Sequence, residues 1–211
     1  MNLHGGNSLT MAIRPMIFGH QLLGDSHMLN VAEMLGYQLD WIQPDSIGLC
    51  ISGQTIIGLR RRLQNTLEIN EKVILMIGNN EFQRGLDQET IKMNFLHLVE
   101  YLLGRVRKLV ILTTVPSPEM IDGEAYRITS MGFNRWILSV NWWDLMQLSQ
   151  PGRIAVVDVS SQFVNYHDGI LEEYFQPSNK YNTNAPDGLS LNKYGIQLLL
   201  DTLEKNSHSL Y

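Results

Sequence analysis

The chain has 211 residues, 44% hydrophobic and 18% charged, with a formal net charge of -5 and one cysteine. That length supports one domain with a full core. The acidic balance argues against whole-surface binding to nucleic acid or an acidic membrane and leaves room only for a local basic patch. A lone cysteine excludes an internal disulfide and fits a reducing, cytoplasmic setting.

Residues 1–12 read as a flexible leader and residues 13–211 as a single domain. Met1 to Thr10 carries neither the basic nor the apolar segment of a signal peptide, and no apolar run is long enough for a bilayer span. The mostly apolar run Met16 to Leu23 predicts a buried strand. Leu22-Leu23-Gly24-Asp25-Ser26-His27 then turns it sharply into a helix over His27 to Leu35, closed by Gly36. Ser26 stands at the N-terminus of that helix, where it can act either as a plain cap or as a hydroxyl nucleophile beside unpaired N–H groups. Ile47 to Ile51 predicts a second strand that buries Cys50 as an inert thiol. After a turn at Ser52-Gly53-Gln54-Thr55, a helix over Ile56 to Leu67 carries Arg60, Arg61 and Arg62. Val73 to Ile77 is apolar without alternation, as in a strand covered on both faces. Gly78-Asn79-Asn80-Glu81 ends it.

The spacing then predicts a helix over Glu89 to Val106, a strand over Leu109 to Thr113 and a long helix over Glu124 to Leu148. A last strand over Ile154 to Asp158, a polar loop over Tyr166 to Pro186 and a closing helix over Leu191 to Leu203 follow. Strands and helices alternate throughout. This predicts an α/β fold of three layers, α/β/α, around a five-stranded parallel sheet with right-handed crossovers. Ligand sites in such sheets gather at the carboxyl ends of the strands. Four polar loops fall there: Asp25-Ser26, Ser52-Gly53, Asn79-Asn80 and the segment leading to Asp187.

At these loops the chain resembles the SGNH, or GDSL-type, hydrolases, whose topology is flavodoxin-like. Gly24-Asp25-Ser26 matches the nucleophile block and Gly53 the glycine of the second. Gly78-Asn79-Asn80-Glu81 resembles the G-x-N-D block with Asn80 at the oxyanion position, and Asp187-Gly188-Leu189-Ser190 resembles D-x-x-H. The departure is Ser190, where the hydrolases place the catalytic histidine. Without that imidazole nothing takes the proton from Ser26, and such a loss costs roughly 10⁴- to 10⁶-fold in rate. Ser26, Gly53, Asn80, Asp187 and Ser190 then read as a vestigial site. His27 is the neighbour of Ser26 in sequence, yet adjacent helical side chains point about 100° apart. His167 lies in the long loop before Asp187, and His20 is expected to be buried. The alternative reading is a serine esterase or acetylhydrolase using Ser26 with a displaced base. The histidines lack metal-ligand spacing and cysteine partners, so neither a metal nor another cofactor is expected.

A second resemblance covers almost the whole chain. Ile47-Gly48-Leu49-Cys50-Ile51-Ser52-Gly53-Gln54-Thr55-Ile56, Leu23-Gly24-Asp25 with Met28-Leu29, Tyr174-Phe175-Gln176-Pro177-Ser178, Asn192-Lys193-Tyr194-Gly195 and Ser209-Leu210-Tyr211 resemble the OSK domain family of insect germ-plasm organisers. The resemblance implies a pseudo-hydrolase that binds mRNA, in its 3′ untranslated regions, and scaffolds germ granules at the oocyte posterior. Its implied partners are mRNA and germ-granule proteins, with no membrane and a monomeric domain. Basic residues expected to meet RNA are Lys180, Lys193 and one or two of Arg60, Arg61 and Arg62, with Tyr174 and Tyr181 as stacking aromatics. Arg105, Arg107 and Lys108 precede a strand and so belong to the opposite edge of the sheet. Trp142 and Trp143 are neighbours on a helix and cannot both face the core. One is expected to be exposed and to mark a protein contact.

Overall fold

The structure is a computed structural model and describes residues 13–41, 43–118, 123–150, 152–167, 169–176 and 190–210. The run Met16 to Leu23 is a hairpin, not one strand. β1 (Met16–Ile17) pairs antiparallel with β2 (His20–Gly24) across a two-residue turn at Phe18 and Gly19, both with positive φ. Such a turn matches the twist of the strands it joins. α1 (Ser26–Met34) follows. Ile47 to Ile51 is likewise a hairpin, of β3 (Ser46–Ile47) and β4 (Cys50–Ile51), turning at Gly48 with φ +60°. A Cβ at Gly48 would lie 2.2 Å from the Ile13 carbonyl oxygen, so both backbone freedom and space require glycine there.

The chain continues through α2 (Ile56–Asn65), β5 (Lys72–Met76), α3 (Asn79–Gln83), α4 (Gln88–Leu103) and β6 (Lys108–Leu112). The expected long helix is two: α5 (Gly123–Ser139) and α6 (Trp142–Leu145). Asn141 breaks it by capping α6, its side chain accepting the Asp144 N–H. β7 (Ile154–Val157), two 3-10 turns (Ser160–Phe163 and Glu172–Tyr174), α7 (Lys193–Lys205) and α8 (Ser207–Leu210) complete the order.

The sheet runs β3-β4-β2-β5-β6-β7, with β1 beside the start of β2. The five strands β4, β2, β5, β6 and β7 are mutually parallel, as expected, and β3 and β1 add an antiparallel margin. Ordered by the chain, the parallel five run 2-1-3-4-5, the flavodoxin-like order, with its switch point between β2 and β5.

Strand side chains alternate between two cores. Leu23, Val73, Leu75, Leu109 and Ile111 face α2, α4 and α5. Leu22, Ile74, Met76, Val110 and Leu112 face α1 and α7. Because both faces are covered, Val73 to Met76 and Leu109 to Leu112 are apolar at successive positions, which is why no alternation shows in their sequence. On the first face Phe95, Phe133, Trp136 and Trp142 form one aromatic cluster, ring centres 5.3–6.2 Å apart. Cys50 is fully buried and its thiol donates to Leu22 O at 3.3 Å. Burial pushes that thiol far above its ordinary pKa, with the nearby Asp25 charge adding to the shift.

Candidate functional site

The carboxyl ends of β2 and β5 release the chain into α1 and α3, and this is where the polar loops meet. Asp25 caps α1. Its buried carboxylate accepts the His27 N–H at 3.1 Å, which leaves Ser26, half-buried, as the first residue of the helix. His27 follows it. Its ring is buried, with Nδ1 3.4 Å from Asp25 Oδ1 and 3.1 Å from Asn79 Nδ2. Asn79 also donates to Val115 O at 3.2 Å, which fixes the orientation of its amide. The Nδ1 edge of the His27 ring is therefore engaged by Asp25 and Asn79.

The other described histidines have partners or positions of their own. His20 Nδ1 lies 3.0 Å from Phe18 O, and the exposed His167 ring sits 3.8 Å from that of Tyr166. His97 and His208 are exposed on α4 and α8. No hydrogen bond joins a described histidine side chain to Ser26.

The oxyanion side is built from α3 and the loop before α2. Asn80 Nδ2 donates to Gln54 O at 2.9 Å, so one of its two amide protons is committed to backbone. Gln54, buried, donates from Nε2 to Gly24 O at 2.7 Å and to Leu49 O at 2.9 Å, tying the end of β2 to the turn between β3 and β4. Glu81 accepts the Ile56 N–H at 2.6 Å and so caps α2 from another helix. Glu81 is 2% exposed. Burial raises its pKa from 4.5 to about 7, against the lowering effect of the Ile56 N–H, and the Asp25 charge raises it further. Sequence reading missed the contacts made here by Gln54, His27, Asn79 and Glu81. Its only signal was the third polar residue in Gly78-Asn79-Asn80-Glu81. Ser190 sits beside the bridge between Phe175 and Leu191, its carbonyl accepting the Gln176 N–H at 2.8 Å. Asp187 lies outside the described residues.

A family model for the OSK domain matches residues 4–209. The chain belongs to the OSK domain family. It is 28% identical over 191 residues to the maternal effect protein oskar of Drosophila virilis, covering 88% of this chain and 30% of that protein. Identity to the Drosophila melanogaster protein of the same name is 27% over 194 residues, covering 87% and 29%. The chain thus spans less than a third of these curated relatives. The crystal structure of the OSK domain of Drosophila Oskar superposes with a TM-score of 0.76 at 24% identity, covering 92% of this chain and 90% of that one. A GDSL-like lipase from Bacteroides thetaiotaomicron superposes at 0.67 with 13% identity, covering 90% and 87%. The fold is therefore that of an OSK domain with an SGNH-hydrolase-like core.

In this OSK domain, the described basic residues expected at RNA stand on helices that cover opposite faces of the sheet, Arg60, Arg61 and Arg62 on α2 and Lys193 on α7. Lys193 opens α7, is exposed, and holds its ammonium 4.9 Å from the ring centre of the exposed Tyr194. Arg61 and Arg62 are exposed on α2, whereas Arg60 is half-buried. Lys180 and Tyr181 lie outside the described residues. Tyr174, half-buried, packs its ring against Phe163 at 5.9 Å. Trp142 is buried, with its indole N–H donating to Ile137 O at 3.0 Å, and Trp143 is the exposed member of the pair. No helix among the described residues is long and apolar enough to cross a membrane.

Proposed function

We propose that this chain is a catalytically inactive SGNH-fold domain that binds mRNA and scaffolds germ-granule assembly in the germ plasm. The observation that carries the inactive half is the setting of His27. The imidazole nearest Ser26 in sequence is buried and engaged at Nδ1 by Asp25 and Asn79, and position 190, where the hydrolases keep their base, is serine. An unassisted serine hydroxyl is a poor nucleophile near neutral pH.

The RNA half draws support from the family match and from the exposed Lys193–Tyr194 pair, a cation beside an aromatic face that can stack on an unpaired base. Exposed Arg61 and Arg62 supply further positive charge on a chain of net charge -5. Binding is accordingly modest and strongly dependent on salt. Exposed Trp143 offers a contact for a germ-granule protein. The test is crosslinking of the chain to labelled single-stranded RNA at moderate salt. Wild type crosslinks, and the combined variant Lys180→Glu, Lys193→Glu and Arg62→Glu does not. No crosslink to wild type, or one that the variant leaves intact, refutes this RNA surface. A fluorophosphonate probe tests the inactive half. Labelling that disappears in Ser26→Ala would establish an active esterase in its place.

A further inference from the structure

We propose that the amino ends of β5, β6 and β7 form a separate cleft that contacts the phosphates of single-stranded RNA without reading its bases. This rests on the RNA-binding reading above and adds a surface at the opposite end of the sheet from the vestigial site. The cleft has a volume of about 520 Å³ and is lined by Lys72, Arg107, Lys108 and Arg153, with Glu71 and Gln150 among the remainder. Four cations face one carboxylate on a chain whose overall charge is negative.

The sheet register makes this a row. Lys72 and Lys108 are direct partners on β5 and β6. Leu109 pairs with Ile154, so Arg153 continues the line at the start of β7. Neighbouring strands lie about 4.8 Å apart, which makes the row about 10 Å long. A stacked nucleic-acid strand carries one phosphate per about 3.4 Å, so the row matches about three phosphates.

Like charges placed directly across a strand pair destabilise it. Lys108 shows the consequence, since burial and then the Lys72 charge lower its pKa. A polyanion would remove that repulsion. The side chains are also held in place. Arg107 pairs with Glu71 at 3.2 Å, and Arg153 donates to Leu103 O at 2.6 Å and Val106 O at 2.7 Å at the end of α4. Among the described residues no aromatic side chain lines the cleft, so these offer nothing for a base to stack on. The side chains described there are charged or polar, which disfavours insertion into a lipid surface. What remains is recognition of the phosphate backbone, independent of sequence.

The test measures binding of a fluorescent oligouridine by anisotropy across a salt series, for wild type, for Lys72→Gln with Arg107→Gln and Lys108→Gln, and for Glu71→Gln. Each lost phosphate contact reduces the log–log salt slope by about 0.7 for a single strand. The triple variant is therefore expected to be shallower by about 2. Between about 50 and 200 mM salt it should lose about sixteen-fold less affinity than wild type. Glu71→Gln removes the opposing carboxylate and should bind about two- to threefold tighter at low salt. That gain cannot arise from misfolding, so it keeps the inference testable if the triple variant folds poorly. Wild-type slope and affinity in both variants, with binding still lost on altering Lys180, Lys193 and Arg62, overturns the cleft and leaves the RNA reading standing. Failure of wild type to bind RNA at all overturns both. Cleft-dependent binding to anionic phospholipid vesicles, with cleft-independent binding to RNA, assigns the row to lipid headgroups and overturns the inference.

Discussion

Replacing Glu81 by glutamine isolates the buried carboxyl that couples α3 to α2. In the folded chain its pKa is raised from 4.5 to about 7, chiefly by burial. The groups acting on it are the Ile56 N–H, Asp25, whose charge raises the value, and Arg84, whose charge lowers it. Between those two pKa values the native state holds a proton that the unfolded chain has released. Stability therefore falls as pH rises through that window and is level above it. At about 1.36 kcal/mol per pKa unit the displacement amounts to about 3 kcal/mol. Glu81→Gln retains an oxygen to accept the Ile56 N–H and has no charge to lose. Urea unfolding of both proteins between about pH 4.5 and about pH 8 should show the wild type losing about 3 kcal/mol relative to the variant. The variant should be the more stable protein at the alkaline end. Profiles that stay parallel across the range refute the assignment of a neutral, burial-shifted carboxyl.

Gly24→Ala would place a Cβ 2.1 Å from the Met76 carbonyl oxygen and 2.6 Å from Met28 Cγ, forcing β2 away from β5. The expected cost is about 3 kcal/mol, or a fall in Tm of about 10 °C, and a shift under about 3 °C would refute it. Asn134→Ala removes a side chain that donates to Thr114 O at 2.8 Å and accepts from Thr114 N at 2.8 Å and Thr114 Oγ1 at 3.0 Å. Stranding these buried groups should cost about 3 kcal/mol in urea unfolding, and a loss below about 1 kcal/mol would show that water replaces the amide. Cys50 should resist iodoacetamide in the native protein and react only as fast as the chain unfolds. Rapid labelling without urea would contradict its raised pKa and full burial.

The parts legible in the chain are those set by local pattern. Val73-Ile74-Leu75-Met76-Ile77 is apolar enough to be read as a central strand, observed over Lys72–Met76, and α4 repeats its apolar residues at helical spacing. Where the pattern continues through a break, periodicity is blind. Phe18 and Gly19 turn inside an apolar run, as does Gly48, and only the pairing partners reveal hairpins. The long helix after β6 fails for a similar reason. Its apolar spacing persists past Asn141, but the side chain caps a new helix and the Trp142 indole turns back to Ile137 O.

The candidate site was legible as separate blocks, since Gly24-Asp25-Ser26 and Gly78-Asn79-Asn80-Glu81 are short and local. Sequence order and alternating elements also sufficed for a doubly covered parallel sheet, because burial on both faces leaves its mark in every strand. Which polar groups meet was decided only in three dimensions. Contact between His27 and Asn79, or between Glu81 and the start of α2, depends on two loops converging at one switch point of the sheet. The row of Lys72, Lys108 and Arg153 depends likewise on strand register, which sets charges distant in the chain side by side.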